Sequence, residues 1–113
     1  MYKRQIALRG NDSELLVVQE RSNSVVVVVD LSSRRERYRR PLSAMTNYDT
    51  IAHYFPDPPD NNGLEGITVN TRNNHVVVVK ERQPGLLIEL DSTLTSILST
   101  RVLQASQGFI LPT

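Results

Sequence analysis

Val17-Val18-Gln19-Glu20-Arg21 and Val78-Val79-Lys80-Glu81-Arg82 decide the fold, because they are nearly the same five residues and stand 61 positions apart. The same offset, carried along the chain without a gap, sets Asp30 on Asp91 and Val25-Val26-Val27 on Leu86-Leu87-Ile88. It also sets Ile6 and Leu8 on Ile67 and Val69, and Leu42 on Leu103. Four segments therefore recur in register: near 4–9 and 64–70, at 14–20 and 75–81, at 25–31 and 86–91, and near 36–42 and 98–104.

Each segment reads as a strand. The apolar residues fall in short runs, Leu15 to Val18, Val25 to Val29, Val76 to Val79 and Leu86 to Leu90. β-Branched side chains stiffen the extended backbone, and the runs are bounded by Asn-Asp-Ser, Ser-Asn-Ser, Arg-Asn-Asn and Gln-Pro-Gly, all turn formers. Consecutive pairs are hairpins. The runs are continuous and not alternating, so both faces of these strands are expected to be covered, as in stacked sheets.

A repeated four-stranded antiparallel meander that is buried on both faces is the pattern of propeller blades set around an axis. A β-sandwich built from two similar hairpins is the competing architecture. The repeat spans four strands and not two, which favours the propeller. The expected class is all-β: residues 1–43 form a first blade and 44–63 a connection with a helical turn at 48–54 that Pro56 ends. Residues 64–105 form a second blade, and 106–113 begin a next, truncated element. Two blades cannot close a ring, so the expected partners are further blades or other copies of the chain.

Composition removes several chemistries. With 13 Lys and Arg against 12 Asp and Glu, the global field draws the chain neither to nucleic acid nor to an anionic membrane. The chain has no Cys, hence no disulfide framework, thiolate metal site or cysteine nucleophile. Its apolar runs are far shorter than the roughly 20 residues that span a bilayer. Met1 to Gln5 is basic with no apolar stretch behind it, so this stretch is not expected to act as a signal peptide.

Asn62-Gly63-Leu64-Glu65-Gly66-Ile67-Thr68-Val69, followed by Val76 to Arg82 and Leu87-Ile88-Glu89-Leu90-Asp91, resembles the SdiA-regulated family over nearly the whole chain. That resemblance implies a six-bladed propeller, bacterial and extracytoplasmic or membrane-associated, in the periplasm or cell envelope. It implies distant kinship in shape with the esterase-like phytases and gluconolactonases. In the first repeat Lys3-Arg4-Gln5 stands where Leu64-Glu65-Gly66 opens the second, so either the first blade lacks this motif or residues 1–5 are not native to the pattern.

Glu65 is the leading site candidate. In propellers of this kind a Glu-Gly at the start of a blade's first strand supplies an oxygen ligand to a divalent metal, and calcium suits such hard ligands. Glu65 equally suits a structural role, accepting backbone hydrogen bonds at the strand start. Glu20 and Glu81 end equivalent second strands and are the other candidate metal ligands, although repeated positions more often maintain a repeat than build one site. Arg21 and Arg82 beside them point to the opposite face, so these pairings would run between blades.

The function classes that follow are a ligand- or metal-binding propeller module, with no catalytic residue assignable, and a calcium-assisted ester or phosphoester hydrolase like the phytase-like propellers. Fold alone does not choose between them. Asp57, Asp60, Asn61 and Asn62 lack EF-hand spacing and read as a turn. His53 and His75 have no second His at helical metal spacing, and His75 is expected at the surface. No Gly-x-Ser-x-Gly occurs. Arg34, Arg35, Arg37, Arg39 and Arg40 fall on a fourth strand, where charge protects a sheet edge, and that reading is preferred to nucleic-acid binding.

Overall fold

The computed structural model describes residues 5–19, 24–55, 63–80 and 85–103. Eight strands lie in two sheets. β1 (Ile6–Arg9), β2 (Glu14–Gln19), β3 (Val25–Asp30) and β4 (Arg35–Pro41) form the first, in that order. β5 (Gly66–Val69), β6 (Val76–Lys80), β7 (Gly85–Leu90) and β8 (Ile97–Leu103) form the second. Every neighbouring pair is antiparallel, so each sheet is a meander. The two hairpins that carry the repeat, β2–β3 and β6–β7, lie in different sheets, as separate blades require.

The repeat extends to irregularities. The register slips between Val28 and Val29 in the first sheet and between Glu89 and Leu90 in the second, which are equivalent positions at the 61-residue offset. Each slip precedes the Asp that the two repeats share. The Asp30 carboxylate accepts the Ser32 N–H at 3.2 Å, and that of Asp91 accepts the N–H groups of Thr95 and Ser96 at 2.8 and 3.1 Å. The shared Asp thus holds the turn into the last strand of each blade. At the β1–β2 turn Gly10, Asn11 and Asp12 all have positive φ, and a Cβ on Gly10 would meet the Ser13 hydroxyl at 2.8 Å, so glycine is favoured there and a larger residue would be strained.

The sheets pack through unlike faces. We call the face bearing Ile6, Val17 and Val27 in the first sheet, and Ile67, Val78 and Ile88 in the second, the leading face; these residues pair across their strands. The opposite, trailing face bears Leu16, Val18, Val26 and Val28 in the first sheet, and Val77, Val79, Leu87 and Glu89 in the second. The core joins the trailing face of the first sheet to the leading face of the second. Ile67 is 4 % exposed, whereas its repeat equivalent Ile6 is 50 % exposed. A sandwich of two similar sheets would bury equivalent faces against each other; here unlike faces meet, as they do between successive blades.

The sheets approach most closely through β1, β2 and β5. Residues 42–55 complete the core: Leu42, Met45 and Ile51 are buried, and Tyr48, Tyr54 and Phe55 pack against them. Short 3-10 turns at Leu42–Ala44, Tyr48–Thr50 and Ala52–Tyr54 shape this segment, the last two standing where a helical turn is expected. Thr46 pairs in parallel with Ser96, accepting the Ile97 N–H and donating to Thr95, and so ties the connection to the second sheet. Arg9, buried at the end of β1, donates to the Ser92 carbonyl at 2.7 Å and to Glu14 at 3.0 Å. Each tie satisfies a polar group while fixing one blade against the next.

Candidate functional site

Because the sheets converge on β1 and β5, two edge strands lie side by side and a concave groove of about 460 Å³ runs along them. Ile6, Leu8 and Leu15 wall one side, and Ile67, Thr68 and Val69 the other. Leu8 is 49 % exposed. Each edge strand pairs on one side only, so half of its backbone N–H and C=O groups face away from the ladder, and Thr68 adds a hydroxyl to the apolar wall.

Glu65 stands immediately before β5. Its N–H donates to the Val79 carbonyl at 2.7 Å while Gly66 pairs with that same Val79. Two residues therefore oppose one, the arrangement of a β-bulge, which re-aims a side chain at a strand end. Glu65 is 5 % exposed. Lys80, at the end of β6 on the leading face, is 1 % exposed and holds its ammonium 5.9 Å from the Phe55 ring centre, within cation–π range. Glu20 and Glu81 lie outside the described residues, as do Asp57, Asp60, Asn61 and Asn62. Among the described residues no three His, Asp or Glu side chains cluster closely enough to hold a metal ion. A calcium site on Glu65 would therefore need ligands from the other segments, Glu20 or Glu81 among them.

The trailing face of the second sheet carries a polar cluster that is not apparent from the sequence. His75 Nδ1 lies 2.7 Å from Glu89 Oε2, and the Ser99 hydroxyl donates to Glu89 Oε1 at 3.1 Å. These bonds hold the Glu89 carboxyl below its usual range, the His75 contact contributing most. The register shows how they meet: Glu89 pairs with Val77 and with Ser99, which makes His75 its diagonal neighbour two residues away. A serine, a histidine and an acid are thus assembled with the carboxylate in the middle. Hydrolytic triads place the imidazole between nucleophile and acid, so this cluster does not activate Ser99. His75 is partly exposed, in keeping with the surface position expected of it, and exposed His53 stacks on Tyr54 with ring centres 3.9 Å apart.

The arginine run is engaged along β4. Arg37 reaches Glu14 at 2.7 Å, Arg39 binds Glu36 through both carboxylate oxygens at 2.7 and 2.9 Å, and Arg40 lies 5.0 Å from the Tyr38 ring centre. β4 is an edge strand of its sheet and most of its residues are exposed. Among the described residues no helix is long and apolar enough to cross a membrane.

A meander repeated in two sheets, packed by unlike faces and converging on its first strands, is a pair of propeller-type blades. A sequence model of the SdiA-regulated family matches residues 5–108, both blades and the connection between them, and the chain belongs to that family. No curated protein and no solved structure matches the chain significantly.

Proposed function

We propose that this chain is a binding module: two blades of a propeller whose first strands present the groove along β1 and β5 to a small ligand with an apolar body. The groove carries the reading. Its volume lies within the range of small-molecule sites, and it combines apolar walls with a few polar groups, here Thr68 and the outward-facing backbone groups of two edge strands. The further blades of a propeller are the partners this assigns, and the bacterial envelope is its compartment, the one that family membership favours; cell fractionation checks the address.

The divalent-cation form of the reading has Glu65 supply one oxygen to calcium close to β5, supported by its burial at a bulge beside a glycine. The hydrolase alternative would require that ion. One set of titrations separates these. 8-Anilinonaphthalene-1-sulfonate is titrated into the folded chain and into Thr68→Trp, whose indole fills the groove, and melting is followed with calcium and with chelator. The module reading expects at least tenfold weaker probe binding in Thr68→Trp at an unchanged melting temperature. Equal probe binding by both proteins rejects the groove. Calcium-dependent melting that Glu65→Gln abolishes favours the cation form, and melting indifferent to calcium removes it together with the hydrolase.

A further inference from the structure

We propose that the outer edge of β8 is a docking site for an extended peptide, which adds to the second sheet as a further strand with apolar side chains on Leu98 and Val102 and an acidic flank toward Arg101. The site is separate from the groove along β1 and β5 and does not depend on it. β4 and β8 are the last strands of their sheets, so each pairs on one side only. The two blades treat this edge differently. At the 61-residue offset Arg37, Arg39, Arg40 and Pro41 of β4 correspond to Leu98, Thr100, Arg101 and Val102 of β8. Charge and proline blunt the first edge against added strands. On the second, Leu98 and Val102 stand in place of an arginine and the proline, and they are 47 % and 42 % exposed. An edge that lacks those guards and holds apolar residues in water suits a partner strand that covers them.

The chain itself begins that strand. Thr46 donates to the Thr95 carbonyl at 2.9 Å and accepts the Ile97 N–H at 3.0 Å, the slanted bonds of a parallel ladder. The Asn47 side-chain amide then donates to the Ile97 carbonyl at 3.1 Å, in place of the backbone N–H that a continuing strand would offer. Asn47 has a φ of 73°, and the backbone leaves the edge for the turn at Tyr48–Thr50. Among the described residues no strand continues the pairing past Ile97. A groove of about 390 Å³ follows instead, between Asn47, Thr50 and Tyr54 of the connection and Leu98, Thr100 and Val102 of β8.

The groove selects its occupant. In strand addition the main-chain bonds give affinity to any extended chain, and the side chains along the groove give selection. Leu98 and Val102 call for apolar residues on the partner, and Thr50 and Thr100 offer hydroxyls between them. Arg101 is exposed and carries the one charge of β8, which favours a carboxylate beside it. The connection walls the far side of the groove, so the site admits a single extended chain and keeps out the edge of another folded sheet. Both walls belong to this chain, and no further blade is needed to complete them.

The test is fluorescence anisotropy on the 113-residue chain with a short fluorescein-labelled peptide of alternating valine and threonine and a glutamate at each end. Two further forms of the peptide are N-methylated at alternate residues, one along each of its edges; the side chains stay and the main-chain donors of one edge are lost. The unmodified peptide is expected to bind saturably, and one methylated form at least tenfold more weakly. Leu98→Arg, which gives β8 the residue of β4, and Val102→Lys should each weaken binding at least tenfold at an unchanged melting temperature. Amide chemical shifts on titration should concentrate in residues 47–54 and 97–102; these shifts and the methylated peptides decide the matter on the wild type if a variant does not fold. Absence of saturable binding, as when another segment of the chain fills the groove, overturns the proposal. So does equal binding of all three peptides, and so do shifts that centre on β4 or on the groove along β1 and β5.

Discussion

The two blades are built on one template and use it in opposite ways. In the first, the trailing face is core and the leading face is open along β1 and β2, although Val25 and Val27 of β3 are buried there; in the second the leading face is core and the trailing face is only partly covered. Side chains have diverged accordingly. Val28, buried without residual exposure, corresponds to Glu89, which stands at the surface in the bond with His75 and Ser99. Tyr38, packed against the core, corresponds to exposed Ser99. The strands, their register slips and their turn-holding aspartates have stayed the same, because they serve the meander whichever face is covered. Backbone architecture and face chemistry are thus separable within one chain: the first follows the repeat, the second follows position in the stack.

Exchanging residues between the blades strains that separation most. Val28→Glu places a carboxylate in the core with no repeat partner to receive it, and the expected cost is on the order of 4 kcal/mol or more, enough to unfold a domain of ordinary stability. The reciprocal Glu89→Val removes a surface carboxylate and should shift stability by about 1 kcal/mol or less. Urea denaturation of both variants gives the contrast directly, and equal costs would mean that the two trailing faces are equally buried.

A smaller difference is expected at the paired isoleucines. Ile67→Ala opens a cavity beneath β5 and should cost roughly 2–4 kcal/mol, while Ile6→Ala at the half-exposed equivalent should cost about 1 kcal/mol or less. If monomeric protein shows the reverse order, the leading face of the first sheet is the one that carries the core.

The weakest effect is the response to acid. Asp30 and Glu36 in the first blade and Glu89 in the second are held below their ordinary values by hydrogen bonds from Ser33, Arg39 and His75 respectively. Asp91 is raised by burial and lowered further by Thr95, Ser96 and Thr93, with a net depression. A carboxyl depressed in the folded state binds protons more readily once unfolded, so its contribution is present above the unfolded pKa and is lost as pH falls through the folded one. Stability should therefore decline below about pH 4.5, and Glu89→Gln should make that decline shallower. Melting temperatures across the acid range, compared between wild type and variant, measure the difference; identical slopes would detach Glu89 from the folded state's proton balance.

The valine runs made the strands and their number legible, because β-branched runs bounded by turn formers favour extended backbone and a repeat fixes register through identities such as Asp30 and Asp91; the full cover of both faces that continuous apolar runs led us to expect is not met, since Val17, Val77 and Val79 stay partly exposed. Which face met which was not legible: Ile6 and Ile67 are the same residue in the same local pattern, and only tertiary placement exposes one and buries the other. The connection was visible as an insertion, yet its role as core filler depends on tertiary packing that brings Ile51 into the core with Tyr54 and Phe55 against it. The His75–Glu89 pair escaped because the residues are diagonal across a hairpin, 14 positions apart, and their repeat equivalents Glu14 and Val28 form no such pair. Glu65 could be singled out by its place in Leu-Glu-Gly, but its burial at a bulge depends on the β5–β6 pairing.

Methyl-to-methyl NOEs in the isolated chain bear most directly on whether one blade follows the other through unlike faces. The structure requires contacts linking the methyls of Leu16, Val18, Val26 and Val28 to those of Ile67, Val78 and Ile88, with Val17 and Leu15 outside that network. Cross-peaks joining Val17 and Val27 to Val78 and Ile88 within a monomer would set equivalent faces against each other, make the protein a sandwich, and contradict the propeller arrangement.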